Sequence, residues 1–329
     1  MQGDSEGEVK TAQGFDEILE VRNLLEYHLN PKHEPSLTIR CIYGQCFGRL
    51  MNLDLNWTTQ NLQRIFPRDE EFQELRESAW EGYITTHNVY TDVFPMLREE
   101  YRHAIERMSV PTPEGQNRST ANECLTTHLI DLYWYGLLEL GESDLLLERF
   151  FTHAPAYNRQ EFMRQIGWRL RYGNFKVDTD LLERLQRLWE WRVSEARNGL
   201  STDSHSSDLK LFSWWFASRK FDSSWAITQL MEAFRLATHI DFDEDVLRYL
   251  VVLAPSMPLA TIECLDLMAN GIQCNEWFLS CYQEDNRAIV SAALQNEDEE
   301  ARKAAKELIS RLLARNYADL RDLRPDGEV

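Results

Sequence analysis

Strand-like alternation of apolar and polar residues is missing from this 329-residue sequence, so a sheet has nothing to be built from. Cysteine is scarce. The six present, at positions 41, 46, 124, 264, 274 and 281, sit in apolar runs such as Ile39 to Phe47 and read as reduced, buried thiols, which excludes a disulfide framework. Positive charge is also in deficit: 35 basic residues face 54 acidic ones, and the net charge of -19 opposes approach to a phosphate backbone. Nucleic acid is therefore an unfavoured partner, though a local basic block keeps it open. No apolar run reaches the roughly 20 residues that a bilayer demands. The longest, Tyr249 to Ile262, is interrupted by Pro255 and Pro258, so no membrane contact is expected. Met1 to Gln13 is polar and acidic, without the basic start and apolar stretch of a signal peptide, and this points to a cytoplasmic chain.

The motifs of common chemistry are absent in the same way. There is no Gly-x-x-x-x-Gly-Lys-Ser/Thr and no Gly-x-Gly-x-x-Gly to cradle phosphates, so no cofactor is expected. Hydrolase signatures are missing as well, and His33-Glu34 runs straight into Pro35 and cannot continue a metal-binding helix. Asp241-Phe-Asp-Glu-Asp245 begins like a calcium loop, but Val246 stands where glycine is required and Val252 where the bidentate Glu belongs. An acidic helix start explains the run better. Glu100 and His103 have the spacing of a di-iron ligand pair, yet no second such motif exists, and a satisfied surface His is the expected reading. His28, His33, Cys41 and Cys46 offer four ligand types in a short span, but their spacing matches no zinc knuckle and both cysteines fall in one helical segment.

What the chain does have is apolar and aromatic material in helical rhythm: 43% hydrophobic residues, 11% aromatic, and ten Trp. Apolar residues recur at three and four, which predicts an all-α protein. The first helix is expected at Phe15 to Leu29 with Ile18, Leu19, Leu25 and Leu29 on one face; others follow at 36–53, 58–66, 69–86 and 91–108, the last kinked near Pro95. Pro111 to Thr120 reads as a loop, and a further apolar helix runs from there to Leu140. Helices at 158–172 and 178–197 precede a Ser-rich stretch, and seven more follow from Leu209 to Asn316, among them 243–253 and 276–282. The expected organisation is an acidic tail at 1–14, an N-terminal helical region at 15–198, a linker at 199–208, helical repeats at 209–323 and a tail at 324–329.

The most specific local feature is Asp298, Ala301, Arg302, Ala305 and Leu308, which resembles the second helix of a HEAT-type repeat over residues 285–319. The resemblance implies antiparallel helix pairs stacked as an irregular HEAT-like α-solenoid. Such an end is also similar to the C-terminal sensor arrays of STAND-type prokaryotic defence proteins. In physical terms, Asp298 caps a helix whose small-residue stripe lets a neighbour approach closely, and a pair of this kind must stack on another pair.

One segment opposes the acidic balance. Arg159 to Arg197 interleaves basic residues with Trp168, Tyr172, Phe175, Trp189 and Trp191. On the helix at 178–197, Leu181, Leu185, Leu188 and Arg192 step down one face, and Arg184, Arg187 and Trp191 step down another that is free for a partner. With Arg164 and Arg171, these form the expected partner-binding set. Leu211 to Phe216 and Trp225 are expected to be core. The reading is a non-enzymatic helical scaffold or sensor binding a protein. An all-α enzyme with a carboxylate or His site, or a nucleic-acid sensor using 159–197, are the alternatives.

Overall fold

Four helix starts are marked by side chains that accept a backbone N–H just inside the helix. Ser36 accepts from Ile39 at 3.4 Å, Asp54 from Trp57 at 2.8 Å, Asp222 from Trp225 at 3.0 Å and Asp298 from Glu300 at 2.9 Å. The structure, a computed structural model, describes residues 14–86, 88–110, 119–174, 176–198, 207–237, 244–270, 281–315 and 317–323. It is all-α, with no strand among the described residues, and none of its described helices is long and apolar enough to cross a membrane.

The α-helices are α1 (Leu19–His28), α2 (Leu37–Leu53), α3 (Leu55–Gln60), α4 (Leu62–Ile65), α5 (Gln73–Thr86), α6 (Phe94–Glu106), α7 (Ser119–Trp134) and α8 (Leu146–His153). They continue with α9 (Ala156–Tyr172), α10 (Thr179–Asn198), α11 (Phe212–Ala217), α12 (Ser223–Leu236), α13 (Glu244–Leu253), α14 (Pro258–Asn270), α15 (Gln283–Gln295) and α16 (Glu299–Ala314). Short 3-10 turns precede α1, α5 and α11 and follow α16. The calcium-like Asp241 and Asp243, the helix expected at 276–282 as far as residue 280, most of the 111–120 loop, Phe175 and residues 199–206 lie outside the described residues.

Packing divides the chain into two units, Met1–Ala154 and Pro155–Val329. The division precedes α9, so α9 and α10, placed by sequence in a 15–198 region, pack with the helices that follow them. Burial of their large side chains is the reason: Trp189 of α10 stacks on Phe212 at 4.1 Å, and Trp215 donates its indole N–H to the Met163 carbonyl of α9 at 2.9 Å.

In the first unit, α2 lies against α5 at backbone distance. A Cβ on Gly44 would sit 2.9 Å from the Tyr83 nitrogen, and one on Gly82 would sit 3.0 Å from the Cys41 sulfur. Phe47, Tyr83 and Tyr101 fill the space around that crossing. Two local expectations are corrected. Pro95 occupies the first turn of α6, where its missing N–H costs nothing, so it starts the helix and does not kink it. The face expected to bury α1 is also only part-buried: Leu29 is fully enclosed, but Ile18 and Leu19 stand exposed, because α1 meets the unit through Leu25, Leu29 and its polar side chains. Trp57 donates to Glu26 at 3.2 Å and Tyr43 donates to the Leu25 carbonyl at 2.7 Å.

In the second unit, α11 packs on α9 and α10 on α12. From α11 onward each helix also packs on the next but one, through α16, and on the next one, except that α12 meets α13 through the Ser223 and Tyr249 hydroxyls at 2.9 Å. The stripe read from sequence on α16 is buried as expected: Ala301, Ala305, Leu308 and Leu312 face inward, and Asp298 caps the helix. Phe212, Trp215 and Phe216 are buried, and Trp225 is half-buried against Phe221, ring centroids 5.0 Å apart.

Candidate protein-contact surface on helix α9

The buried side of α9 is complete without its Tyr and Trp residues. Phe162, Met163, Ile166 and Leu170 form it, and Gly167 lets α11 press close, since a Cβ there would lie 2.7 Å from that of Trp214. Tyr157, Arg164, Trp168 and Tyr172, spaced by seven, four and four residues, are left on the outside. Tyr157 is 59% exposed, Trp168 46% and Tyr172 54%, so three large aromatics and an arginine line one solvent-facing stripe. The end of the stripe is fixed in place. Trp168 and Tyr172 lie 6.4 Å apart, and Tyr172 meets Trp214 of α11 edge-on at 6.4 Å. The Arg171 guanidinium sits 4.7 Å from the Tyr172 ring and 5.6 Å from the Trp214 ring, and pairs with Asp245 of α13. A planar cation held by a carboxylate between two rings immobilises both.

The structure distributes the residues nominated from sequence over two helices. Arg164 is exposed and pairs with Glu161 one turn back, at 2.6 Å. Arg171 is 10% exposed along its side chain and is committed to Asp245, so it supports the aromatic stripe without facing solvent. On α10, Leu181, Leu185, Leu188 and Arg192 are buried and a flanking side carries Arg184, Arg187 and Trp191. Of those three only Arg187 is fully exposed, and Trp191 is half-covered with the Arg192 guanidinium 5.1 Å from its ring. Sequence reading named Trp168 and Tyr172 but did not select them, and it passed over Tyr157. The available signal was that Phe162, Met163, Ile166 and Leu170 already fill one buried face of α9, which left its Tyr and Trp residues in excess.

Other residues of the basic block are spent internally. Arg159 is 3% exposed, and burial lowers its affinity for its proton, offset by attraction to Asp208. Arg192 donates to Asp208 from Nε at 2.9 Å and from Nη2 at 3.3 Å, with both residues buried. Arg197 pairs with Glu232.

The other chemistry-bearing groups singled out from sequence do not converge. His28 pairs with Glu34 at 3.1 Å, His33 stacks on Tyr27 at 5.1 Å, and Cys41 and Cys46 are half-buried on α2. Among the described residues no three His, Cys, Asp or Glu side chains are grouped to hold a metal ion. His103 is not the surface residue expected. Glu100 is buried and takes an ion pair from Arg76 at 2.6 Å, and His103 lies between α5 and α6 with its Nε2 enclosed and lacking a hydrogen-bond partner. Burial, with Arg76 and Arg107 nearby, brings the imidazole down to about 4, against the pull of Glu77 and Glu106.

This lowering sets a pH dependence. An unfolded His takes up its proton near pH 6.5, whereas His103 in the fold resists until about 4, so the unfolded state binds more protons between those values. Stability from this group is complete above pH 6.5 and falls as pH drops toward 4. The loss is about 2 kcal/mol after discounting for partial solvent access. Urea denaturation at pH 7 and pH 4.5 should show it in the wild type and show a smaller loss in His103→Gln; equal losses in both would remove His103 as the source.

Compared with family models, with curated proteins and with solved structures, the chain matches none.

Proposed function

We propose that the protein is a helical-repeat scaffold or sensor module that binds another protein, with the outer stripe of α9 as its main contact. The observation that carries this is the exposed row of Tyr157, Arg164, Trp168 and Tyr172, whose Trp168–Tyr172 end is held in place. Tyr, Trp and Arg are the side chains that most often anchor interfaces, and rings already held in place lose little freedom on binding. The packing of successive helices on the next and the next but one in the second unit supports a repeat of HEAT-like pairs, since that is what stacking pairs requires. Charge argues for a protein over a nucleic acid. The net charge is -19, and within the basic block Arg159, Arg164, Arg171, Arg192 and Arg197 face acidic side chains already.

The test is affinity purification from the native cells of the wild type and of Trp168→Glu/Tyr172→Glu, with mass spectrometry and an absorbance check for nucleic acid. A stoichiometric protein should accompany the wild type and be depleted at least tenfold with the variant, whose helical circular dichroism should be unchanged because both side chains face solvent. A partner retained equally by both proteins would refute the α9 surface, and co-eluting nucleic acid would favour a nucleic-acid sensor.

A further inference from the structure

In the first unit, α2 ends at Leu53 and α3 begins at Leu55, with Asp54 extended between them. Asp54 accepts from Trp57 at 2.8 Å and from Phe15 at 2.8 Å, which fixes this bend. Along its outer side runs an open cleft of about 670 Å³, bounded across from the bend by Asp92 and Met96 at the start of α6. The volume falls in the range of about 300–1,000 Å³ typical of ligand sites.

The lining is chemically selective. Asn52, Asn56 and Gln60 bring three exposed carboxamides to one wall, spaced by four residues, and none of them has a side-chain hydrogen bond to a described residue. Met51, Leu55 and Met96 supply its apolar lining, with Leu55 exposed and the two methionines half-buried. Asp92 is exposed and forms no ion pair with any described residue; among those residues its side chain accepts one hydrogen bond, from the Thr91 hydroxyl at 3.4 Å. Thr59 is already used, donating to the Leu55 carbonyl at 2.7 Å.

Each feature removes a class of ligand. No Lys or Arg lines the cleft, so a phosphate or a free carboxylate has no counter-charge. No aromatic ring lines it, so a sugar or a base has no face to stack on. A single carboxylate matches one positive charge and not a polycation. A carboxamide offers both a donor and an acceptor, which is the complement of a peptide group, and methionines adapt to aliphatic side chains of varied shape.

We propose that this cleft binds an extended peptide segment of a partner protein, with one Lys or Arg on Asp92, the backbone on Asn52, Asn56 and Gln60, and a neighbouring aliphatic side chain on Met51, Leu55 and Met96. The site belongs to the first unit and stands independently of the α9 stripe. A backbone-reading wall with one charge gives modest affinity and a short consensus, as suits a segment captured from a flexible region.

The experiment uses the full-length protein on an array of acetylated, amidated hexapeptides covering every pair of residues at the two central positions. Signal should concentrate on peptides that place Lys or Arg beside Leu, Ile, Val or Met. Fluorescence polarisation with the best peptide should show binding weakened about tenfold by Asp92→Asn, which corresponds to one charged contact, and about fivefold by Asn56→Ala with the Lys preference kept. The methyl resonances of Met51 and Met96 should shift on titration. Trp168→Glu/Tyr172→Glu should bind the peptide as the wild type does, so this result and that of the α9 test are read separately. No signal above background, a preference for acidic peptides, or affinity unchanged by Asp92→Asn would each overturn the proposal.

Discussion

Replacing Asp208 by Ala should destabilise the protein by about 3–5 kcal/mol, the cost of leaving a buried cation without its partner. Asp208 is fully buried, its carboxylate takes two hydrogen bonds from Arg192, and Arg159 lies close enough to feel its charge. Removing it leaves two enclosed guanidiniums that repel each other and have no water to turn to. Urea denaturation followed by circular dichroism measures the loss. The double variant Asp208→Ala/Arg192→Met should recover much of it, because an apolar side chain of similar length has no charge to desolvate. A loss below about 1 kcal/mol from Asp208→Ala would mean that solvent reaches the pair after all.

The second large effect is at the α2–α5 crossing, where propensity and packing disagree in sign. Gly44→Ala in an exposed helix would stabilise by about 0.5–1 kcal/mol, since Gly loses more backbone freedom on folding. Here the new Cβ would fall within the envelope of the Ala79 carbonyl and 2.9 Å from the Tyr83 nitrogen, with backbone on the opposing side that cannot rotate away. The helices must separate, and overpacking of this kind costs about 1–3 kcal/mol or more. Gly44→Ala should therefore lower the thermal midpoint, as should Gly82→Ala, whose Cβ meets the Cys41 carbonyl. A raised midpoint in either variant would show that the two helices have room to spare.

Much of the second unit was legible locally. The Asp298 cap, the Ala301, Ala305, Leu308 and Leu312 stripe, and the Leu181, Leu185 and Leu188 face of α10 all stand as the helical period places them. The α9 stripe was half-legible: its aromatics were visible, but which of them face solvent depends on Gly167 admitting α11 and on Asp245 reaching Arg171. Neither contact leaves a trace in local spacing. His103 shows the same limit, because its neutrality depends on burial against another helix and on Arg76 from that helix. Asp208 sat in a stretch of serine and aspartate that composition assigns to solvent, yet it is the most deeply placed carboxylate among the described residues.

By itself, then, the sequence determined the helical class, the capped helix starts, the buried stripes of α10 and α16 and the absence of recognised cofactor motifs, because caps and the 3.6-residue period act over a few residues and are written in adjacent positions. Tertiary structure decided where the two units divide, which arginines are spent on buried carboxylates, which aromatics are left outside, and that three carboxamides and Asp92 share one cleft. Those outcomes depend on which distant elements come together, and backbone approaches such as Gly44 on Ala79 are set by the whole packed unit and not by either helix alone.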